Sequence, residues 1–521
     1  MDSFKQKSLG ELMVFGFDGT EMTVAIRRFI HEQQLGAVIL FARNMKSSQQ
    51  IRRLTHELQS EARRAGHVQP LLIATDQENG EVHRLPEDEV CLPGPMLIGA
   101  AGRPDYACDV GRMTARQLLD VGINWNLAPV ADVSNNPDNT LIGCRAFSGH
   151  PQQAGIFAAQ FMCGSQYEHV AATLKHFPGH GDTVIDSHLD LPVIAHSLEH
   201  LEAVELVPFR MCIAAGAQVV MLAHVYFPAL EKAPNIPASL SRSVVTGLLR
   251  ARLGFRGIVM TDCLEMDAVS RRFGTAEGAV MALQAGVDMM LVSHTQTRQL
   301  ETVQRVEQAV KEGALDDEQL RASVQRVRQL KKKNLNWNDA LAPECITASE
   351  KKEQHQRATT MFMQGVTLVR QPPRGLPFHD SPHLLFIDAS VAHMSGVVDV
   401  HEKENAFLSL AHRLAPEAAR LRCASADFSA QLANAEKRKL QAAVVFVSTL
   451  STEAAQLTWI SELARTTDVL VIATQSPSVI RHLPIRVGCI CTYEQSKPAL
   501  TCAVLTAIGR LTLSGKLPVS L

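Results

Sequence analysis

Residues 171–188 read AATLKHFPGHGDTVIDSH. The stretch opens on an apolar run and closes on a crowd of ionisable side chains. From Lys175 to His188 it holds Lys175, His176, His180, Asp182, Asp186 and His188. Its Gly and Pro residues forbid a continuous helix through the middle, so a buried strand must run out into a shaped loop.

The same pattern, a short apolar run followed by a polar residue and then helical periodicity, recurs through the first two thirds of the chain. The other runs are LMVFGFDG from Leu12, GAVILFARN from Gly36, PLLIATDQE from Pro70, GINWNLAPVAD from Gly122, AQVVMLAH from Ala217, FRGIVMTD from Phe255 and VDMMLVSH from Val287. They are unbroken rather than alternating, as in strands covered on both faces of a parallel sheet. Helical periodicity fills the gaps at Ser47–Ala65, Arg103–Asp120, Gln152–Glu168, Ser197–Ala215, Ser241–Leu253 and Ala276–Gln284. Eight βα repeats over about 300 residues predict a TIM-type (β/α)8 barrel. A doubly wound open sheet is the alternative, since periodicity does not reveal closure. No G-x-G-x-x-G follows the first run, which disfavours a dinucleotide fold.

A further helix is expected over Asp316–Leu335, acidic at its start and basic at its end. The stretch NWNDALAPECITASE then interrupts the pattern, and a helix follows at Glu350–Gly365. Beyond it come VTLVR, HLLFIDAS, AAVVFVS, DVLVIATQ and VGCICTY, separated by helical stretches. The expected organisation is a barrel over residues 1–335, a linker and connecting helix over 336–365, and a smaller α/β sandwich over 366–521.

Composition narrows the function. The 521 residues carry 51 Lys+Arg against 53 Asp+Glu, a formal net charge of -2, so no basic footprint for nucleic acid exists. No run reaches the roughly 18 apolar residues of a membrane span. The start, MDSFKQKSLGELMVFGFDG, lacks the features of a signal peptide, and the eleven Cys include no C-x-x-C pair. A cytoplasmic protein with free thiols is expected, Cys489 and Cys491 being buried strand residues. Three Trp and four Tyr offer little sugar-stacking platform, which favours a short ligand over a polymer.

Parallel barrels carry their chemistry at the C-terminal ends of the strands. Those ends supply Asp18, Arg43–Asn44, Asp76–Gln77–Glu78, Asp132, Lys175–His176, His224, Asp262 and Ser293–His294. Asp186 and His188 stand two apart, so on an extended backbone they point the same way. A carboxylate so placed fixes the tautomer of an acid/base imidazole. The competing reading is a polar loop with helix-capping Asp and Ser. Asp262 directly follows an apolar run and suits a carboxylate nucleophile. Glu265 and Asp267 are expected in the next helical turn, complementing its dipole.

With these motifs in view, the chain resembles the β-N-acetylglucosaminidase (NagZ-type) branch of the family 3 glycoside hydrolases. KHFPGHGDT, DSH and TDCLEM carry the resemblance, and GAVILFARN, TDQENG, NLAPVADV and IGCRAFSGHP fall in the family's order. It covers roughly residues 8–335. The last third resembles, more weakly, the α/β sandwich of two-domain members. The resemblance implies Asp262 as nucleophile, His188 as acid/base and Asp186 as its dyad partner. It implies Asp76, Arg145, Lys175 and His176 as residues that bind a terminal N-acetylglucosamine, with Arg43 and His224 also at pocket positions. Three departures stand out: QENGEV in place of QEGG[RQ]V, with Asn79 and Glu81, then Cys144 before Arg145 and Cys263 after Asp262. Asn tolerates the left-handed conformation, which would preserve the turn at 79.

The implied chemistry is a retaining two-step hydrolysis with no metal or cofactor. Asp262 forms a glycosyl-enzyme, and His188 first protonates the leaving oxygen and then deprotonates water. The partner would be a small oligosaccharide or glycoside, with monomer and homodimer both compatible. Muropeptide fragments, chitin disaccharide and glycoconjugate ends all fit, and the family likeness favours cell-wall recycling. Three alternatives are set beside it. A metal-dependent barrel hydrolase would use His176, His180, His188, His224 and Asp262 as ligands. A non-catalytic sugar-binding protein would bind N-acetylglucosamine without product. A phosphorylase would keep the same site, since a neutral His repels phosphate less than a carboxylate would.

Overall fold

A computed structural model describes residues 8–183, 191–389, 406–422, 440–448 and 455–521. Eight parallel strands close into a barrel in sequence order: β1 Met13–Phe15, β2 Ala37–Ile39, β3 Leu72–Thr75, β4 Trp125–Asn126, β5 Ala171–Phe177, β6 Val219–Leu222, β7 Ile258–Cys263 and β8 Met289–Val292. Closure is direct: β1 pairs in parallel with β8, Val14 opposite Leu291. Each strand falls within one of the eight apolar runs, except that β7 runs one residue further, to Cys263. The open-sheet alternative is thereby excluded.

The helices follow local chemistry. Ser47 caps Ser48–Arg64 by accepting from Gln50 N, and Asp316 caps Asp317–Asn334 by accepting from Glu318 N and Gln319 N. The single helix expected over Ser197–Ala215 is two, Leu198–Ala203 and Leu206–Ala214. Val204, at φ −122° and ψ −78°, leaves the helical region and divides them. Glu265 is also not in a helical turn. The helix after β7 begins at Asp267, and Glu265 instead accepts from the backbone N–H groups of His294 and Thr295 beyond β8.

The second sheet has six strands in the order β11-β10-β12-β13-β14-β9. They are β9 Thr367–Arg370, β10 Leu384–Asp388, β11 Ala419–Arg422, β12 Ala442–Val447, β13 Asp468–Ala473 and β14 Gly488–Cys491. All pairings are parallel except that of β14 with β9. Cys489 and Cys491 are buried thiols of β14. Edge strand β11 was not anticipated from the sequence. ARLR alternates between half-buried and exposed, so it lacks the apolar run that marks its neighbours.

The last third of the chain packs on the barrel part. The helix Ala348–Gly365 brings Gly365 onto Leu97, where a Cβ would lie 2.4 Å from Leu97 O. The last residues fold back on the barrel: Lys516 N donates to Ala100 O at 2.9 Å, and Ser148 Oγ donates to Pro518 O at 2.7 Å. Gly94 N donates to the buried Glu494 carboxylate at 2.7 Å. Among the described residues, no helix is long and apolar enough to cross a membrane.

Candidate active site

Strands β3 and β5 deliver a buried charge cluster to the C-terminal rim. Lys175 Nζ lies 2.7 Å from Asp76 Oδ1 and 2.6 Å from Glu78 Oε1. Arg145, from the short 3-10 turn Gly143–Arg145, grips Glu78 with both Nε and Nη2, at 2.9 and 2.8 Å. Its Nη1 donates to Leu141 O. Lys175, Glu78 and Arg145 are buried. Burial works against the ionised form of Glu78, but the neighbouring Arg145 and Lys175 outweigh it and hold the carboxyl below the usual range. Burial likewise pulls down Lys175 and Arg145, and the carboxylates more than reverse that, so both cations are firmly protonated.

Three positions of the cluster and its neighbour His176 are left for a ligand. Asp76 uses Oδ1 for Lys175, while Oδ2 takes no hydrogen bond among the described residues, and its side chain is 16% exposed. An ionised carboxylate is acceptor-only, which suits sugar hydroxyls. The Lys175 ammonium has three donors, of which Asp76 and Glu78 occupy two. His176 Nδ1 lies 2.8 Å from Asp132 Oδ2, so Nε2 is the ring nitrogen not used in that bond.

Asp132 organises the loop after β5. It also accepts from the backbone N–H groups of His176 and His180. Burial disfavours its charge, but His176 holds it ionised, its carboxyl below the usual range. His180 is buried against His176, which pushes its imidazole down to about 4, and it hydrogen-bonds Thr183 Oγ1 at 2.9 Å. His180 is therefore neutral at neutral pH. Asp186 and His188 lie outside the described residues.

Asp262 stands in β7, half-buried, with Oδ1 accepting from Cys263 N at 2.7 Å. His224 braces the same strand end: Nε2 meets Cys263 O at 3.0 Å and Nδ1 meets Ser239 Oγ at 2.7 Å. Arg43 is engaged with the rim itself, bonding Asp18 at 2.9 Å, Phe17 O and Ser293 O. Asp76, Lys175 and Arg145 are thus brought together through Glu78. Arg43 bonds the ends of β1 and β8, and His224 bonds the end of β7 and Ser239 beyond β6. Glu78 and Asp132 were not singled out as site residues, although both fall in strand-end motifs. The signal was their position at the C-terminal end of an apolar run, Asp132 directly after it and Glu78 two residues past Asp76.

The departures from the family pattern all find partners. Asn79 adopts φ 69° beside Gly80 at φ 64°, so the left-handed turn survives. Glu81 accepts from Gln475 Nε2 at 3.1 Å, and the Cys144 thiol donates to Gln475 O, both contacts reaching the loop after β13. Cys263 Sγ lies 3.0 Å from Ser293 Oγ, which in turn bonds His294 Nδ1 at 2.8 Å. Hydrogen bonding to Cys263 and to Glu265 raises His294 to about 9, while the His294 and Thr295 bonds overcome burial and lower Glu265 to about 2.

Comparison with known proteins follows the same outline. Residues 5–330 match the model of the glycosyl hydrolase family 3 N-terminal domain. A β-hexosaminidase A of Pseudoalteromonas piscicida is 34% identical over 335 residues, covering 60% of this chain and 56% of that relative. The chain thus spans little more than half of that protein's length. A β-hexosaminidase of Stenotrophomonas maltophilia (strain K279a) is 38% identical over 54% of this chain and 83% of its own length. Among solved structures, a family 3 β-N-acetylglucosaminidase from Paenibacillus sp. str. FPU-7 superposes with a TM-score of 0.91 at 33% identity, covering 99% of this chain and 98% of that one. A fungal multi-domain family 3 β-N-acetylglucosaminidase gives the same TM-score at 35% identity, covering 99% of this chain but 60% of that one. Since the family model takes in more than half of the chain and the closed barrel presents its ionisable cluster at the strand ends, the chain belongs to glycoside hydrolase family 3.

Proposed function

We propose that the chain is a retaining exo-β-N-acetylglucosaminidase that removes terminal non-reducing β-N-acetylglucosamine from short glycosides. The observation that carries this reading is the buried Asp76–Lys175–Glu78–Arg145 cluster at the barrel rim. It pairs an acceptor-only carboxylate with fixed cationic donors, a set suited to hydroxyl and acetamido groups. The β-hexosaminidase names of the relatives agree with it.

In this reading Asp262 attacks the anomeric carbon and His188, oriented by Asp186, serves as acid and then base. Asp76, Lys175, Arg145 and His176 hold the sugar, and Glu78 keeps Lys175 and Arg145 charged and in place. Arg43 and His224 hold the rim around the pocket. Muropeptide fragments and chitooligosaccharides in the cytoplasm are the substrates we assign, the paucity of aromatic residues favouring short chains.

A panel of nitrophenyl sugars tests the proposal. The β-N-acetylglucosaminide should be cleaved far faster than the β-glucoside, β-xyloside or β-N-acetylgalactosaminide, with identical products in phosphate and non-phosphate buffers. Preference for the glucoside would overturn the sugar assignment. A sugar phosphate formed only in phosphate buffer would replace hydrolysis by phosphorolysis.

A further inference from the structure

Away from the charge cluster, the segment that follows the β5 loop gathers two imidazoles and a buried carboxylate. We propose that His196, His200 and Glu205 bind a divalent first-row transition-metal ion of the Zn2+ class. Their ligand atoms lie within 4.8 Å of one another. The two imidazole rings stack at 3.9 Å between centroids, and His200 Nε2 stands 3.6 Å from Glu205 Oε1, just beyond hydrogen-bond reach.

The site is built but unsatisfied. Glu205 is 2% exposed, and among the described residues its Oε2 has no hydrogen-bond partner; nor has the buried Nε2 of His200. Oε1 receives one long bond, from Asn135 Nδ2 at 3.3 Å. A buried carboxylate with half its acceptor capacity idle is costly, as is a buried imidazole nitrogen facing it without contact. A cation between them satisfies both. Two imidazoles and one carboxylate, with a position left open, form a donor set that such ions accept. His196 already has an orienting carboxylate, Nε2 meeting Asp182 Oδ2 at 2.6 Å.

Local sequence produces the arrangement. Ser197 caps Leu198–Ala203 by accepting from His200 N, which sets His200 in the first turn. The helix break at Val204 then turns Glu205 inward against the β5 loop. A Cβ on Gly179 would lie 2.7 Å from Glu205 Cβ, so the carboxylate stem rests on that glycine. The site therefore joins residues 179–182 to residues 196–205. The second His/Cys/carboxylate group among the described residues, Cys263 with Glu265 and His294, differs in having its carboxylate already engaged by two backbone N–H groups. The inference does not depend on which sugar the barrel accepts.

The full chain, stripped with a chelator and dialysed, is titrated with Co2+ and Zn2+ by calorimetry and absorption. A single saturable event is expected, with cobalt d–d absorption, no thiolate-to-cobalt charge-transfer band, and a higher unfolding temperature with Zn2+. His200→Gln and Glu205→Gln should each weaken binding at least tenfold and abolish the thermal shift. Glu205→Gln keeps the side-chain volume, and the unfolding temperature of each metal-free variant verifies its fold. No saturable binding by the parent protein overturns the proposal. Undiminished binding in both folded variants also overturns it, as does a charge-transfer band that disappears in Cys263→Ser.

Discussion

Replacing Glu78 by Gln removes one negative charge from a largely buried group of four and leaves its shape nearly unchanged. In the parent, Glu78 accepts from Lys175 Nζ and from two nitrogens of Arg145. An amide there presents a donor to at least one cation and leaves Arg145 and Lys175 with Asp76 as their sole carboxylate partner in the cluster. Breaking a buried pair from one side costs about 3–5 kcal/mol. The sign of the pH dependence follows from the depressed Glu78 carboxyl. Its stabilisation is fully present above the unfolded-state value of about 4.3 and fades as pH falls toward the folded value, by about 1.4 kcal/mol per pH unit. Urea unfolding read by tryptophan fluorescence measures this, since Trp125 is buried in β4 and bonded to Thr173. The shortfall of Glu78→Gln should be about 3–5 kcal/mol near neutral pH, flat down to about pH 5.5, and smaller by about 1 kcal/mol near pH 3.5. No shortfall at neutral pH, or one unchanged in acid, would refute the reasoning.

Asp262→Asn should lose essentially all turnover of the nitrophenyl β-N-acetylglucosaminide with its unfolding midpoint unmoved; retained turnover removes Asp262 as nucleophile. Asp186→Ala or His188→Ala should slow natural glycosides far more than an activated phenol, which needs little protonation, and equal losses on both would count against an acid role for His188. Lys175→Met should lower kcat/KM by about 30-fold or more, equivalent to about 2 kcal/mol, with the steady-state constants as readout. For His294, raised to about 9, the contribution to stability is complete below the ordinary histidine range and lost as pH rises through that value. The advantage of the parent over His294→Gln in thermal unfolding should therefore shrink on going from neutral to alkaline buffer, and a constant advantage would contradict it.

Barrel strands were legible because both faces are covered, which writes an unbroken apolar run into each. The same logic failed at β11, an edge strand whose ARLR alternates with solvent. It also failed at Ser197–Ala215, where side-chain periodicity runs on through a backbone break that only Val204's dihedrals reveal. In the site, Asp76 and Lys175 were readable as polar residues ending apolar runs. Glu78 was visible among the strand-end residues but its role was not, because that role lies in spatial neighbours 67 and 97 positions away in sequence, Arg145 and Lys175. Asn79 shows the converse: its tolerance of positive φ was predictable from chemistry alone and is what the turn uses.

Gln475 meets the barrel at the two positions where the chain departs from its family's usual residues, through its side-chain amide to Glu81 and its backbone carbonyl to Cys144. Glu81 closes the turn that begins at Glu78, and Cys144 immediately precedes Arg145. A residue of the loop after β13 thus leans on both flanks of one carboxylate–guanidinium grip. Any chimaera that imports a foreign C-terminal half would have to carry positions 81, 144 and 475 together, because exchanging one side alone would disturb the setting of the Glu78–Arg145 pair without touching either residue.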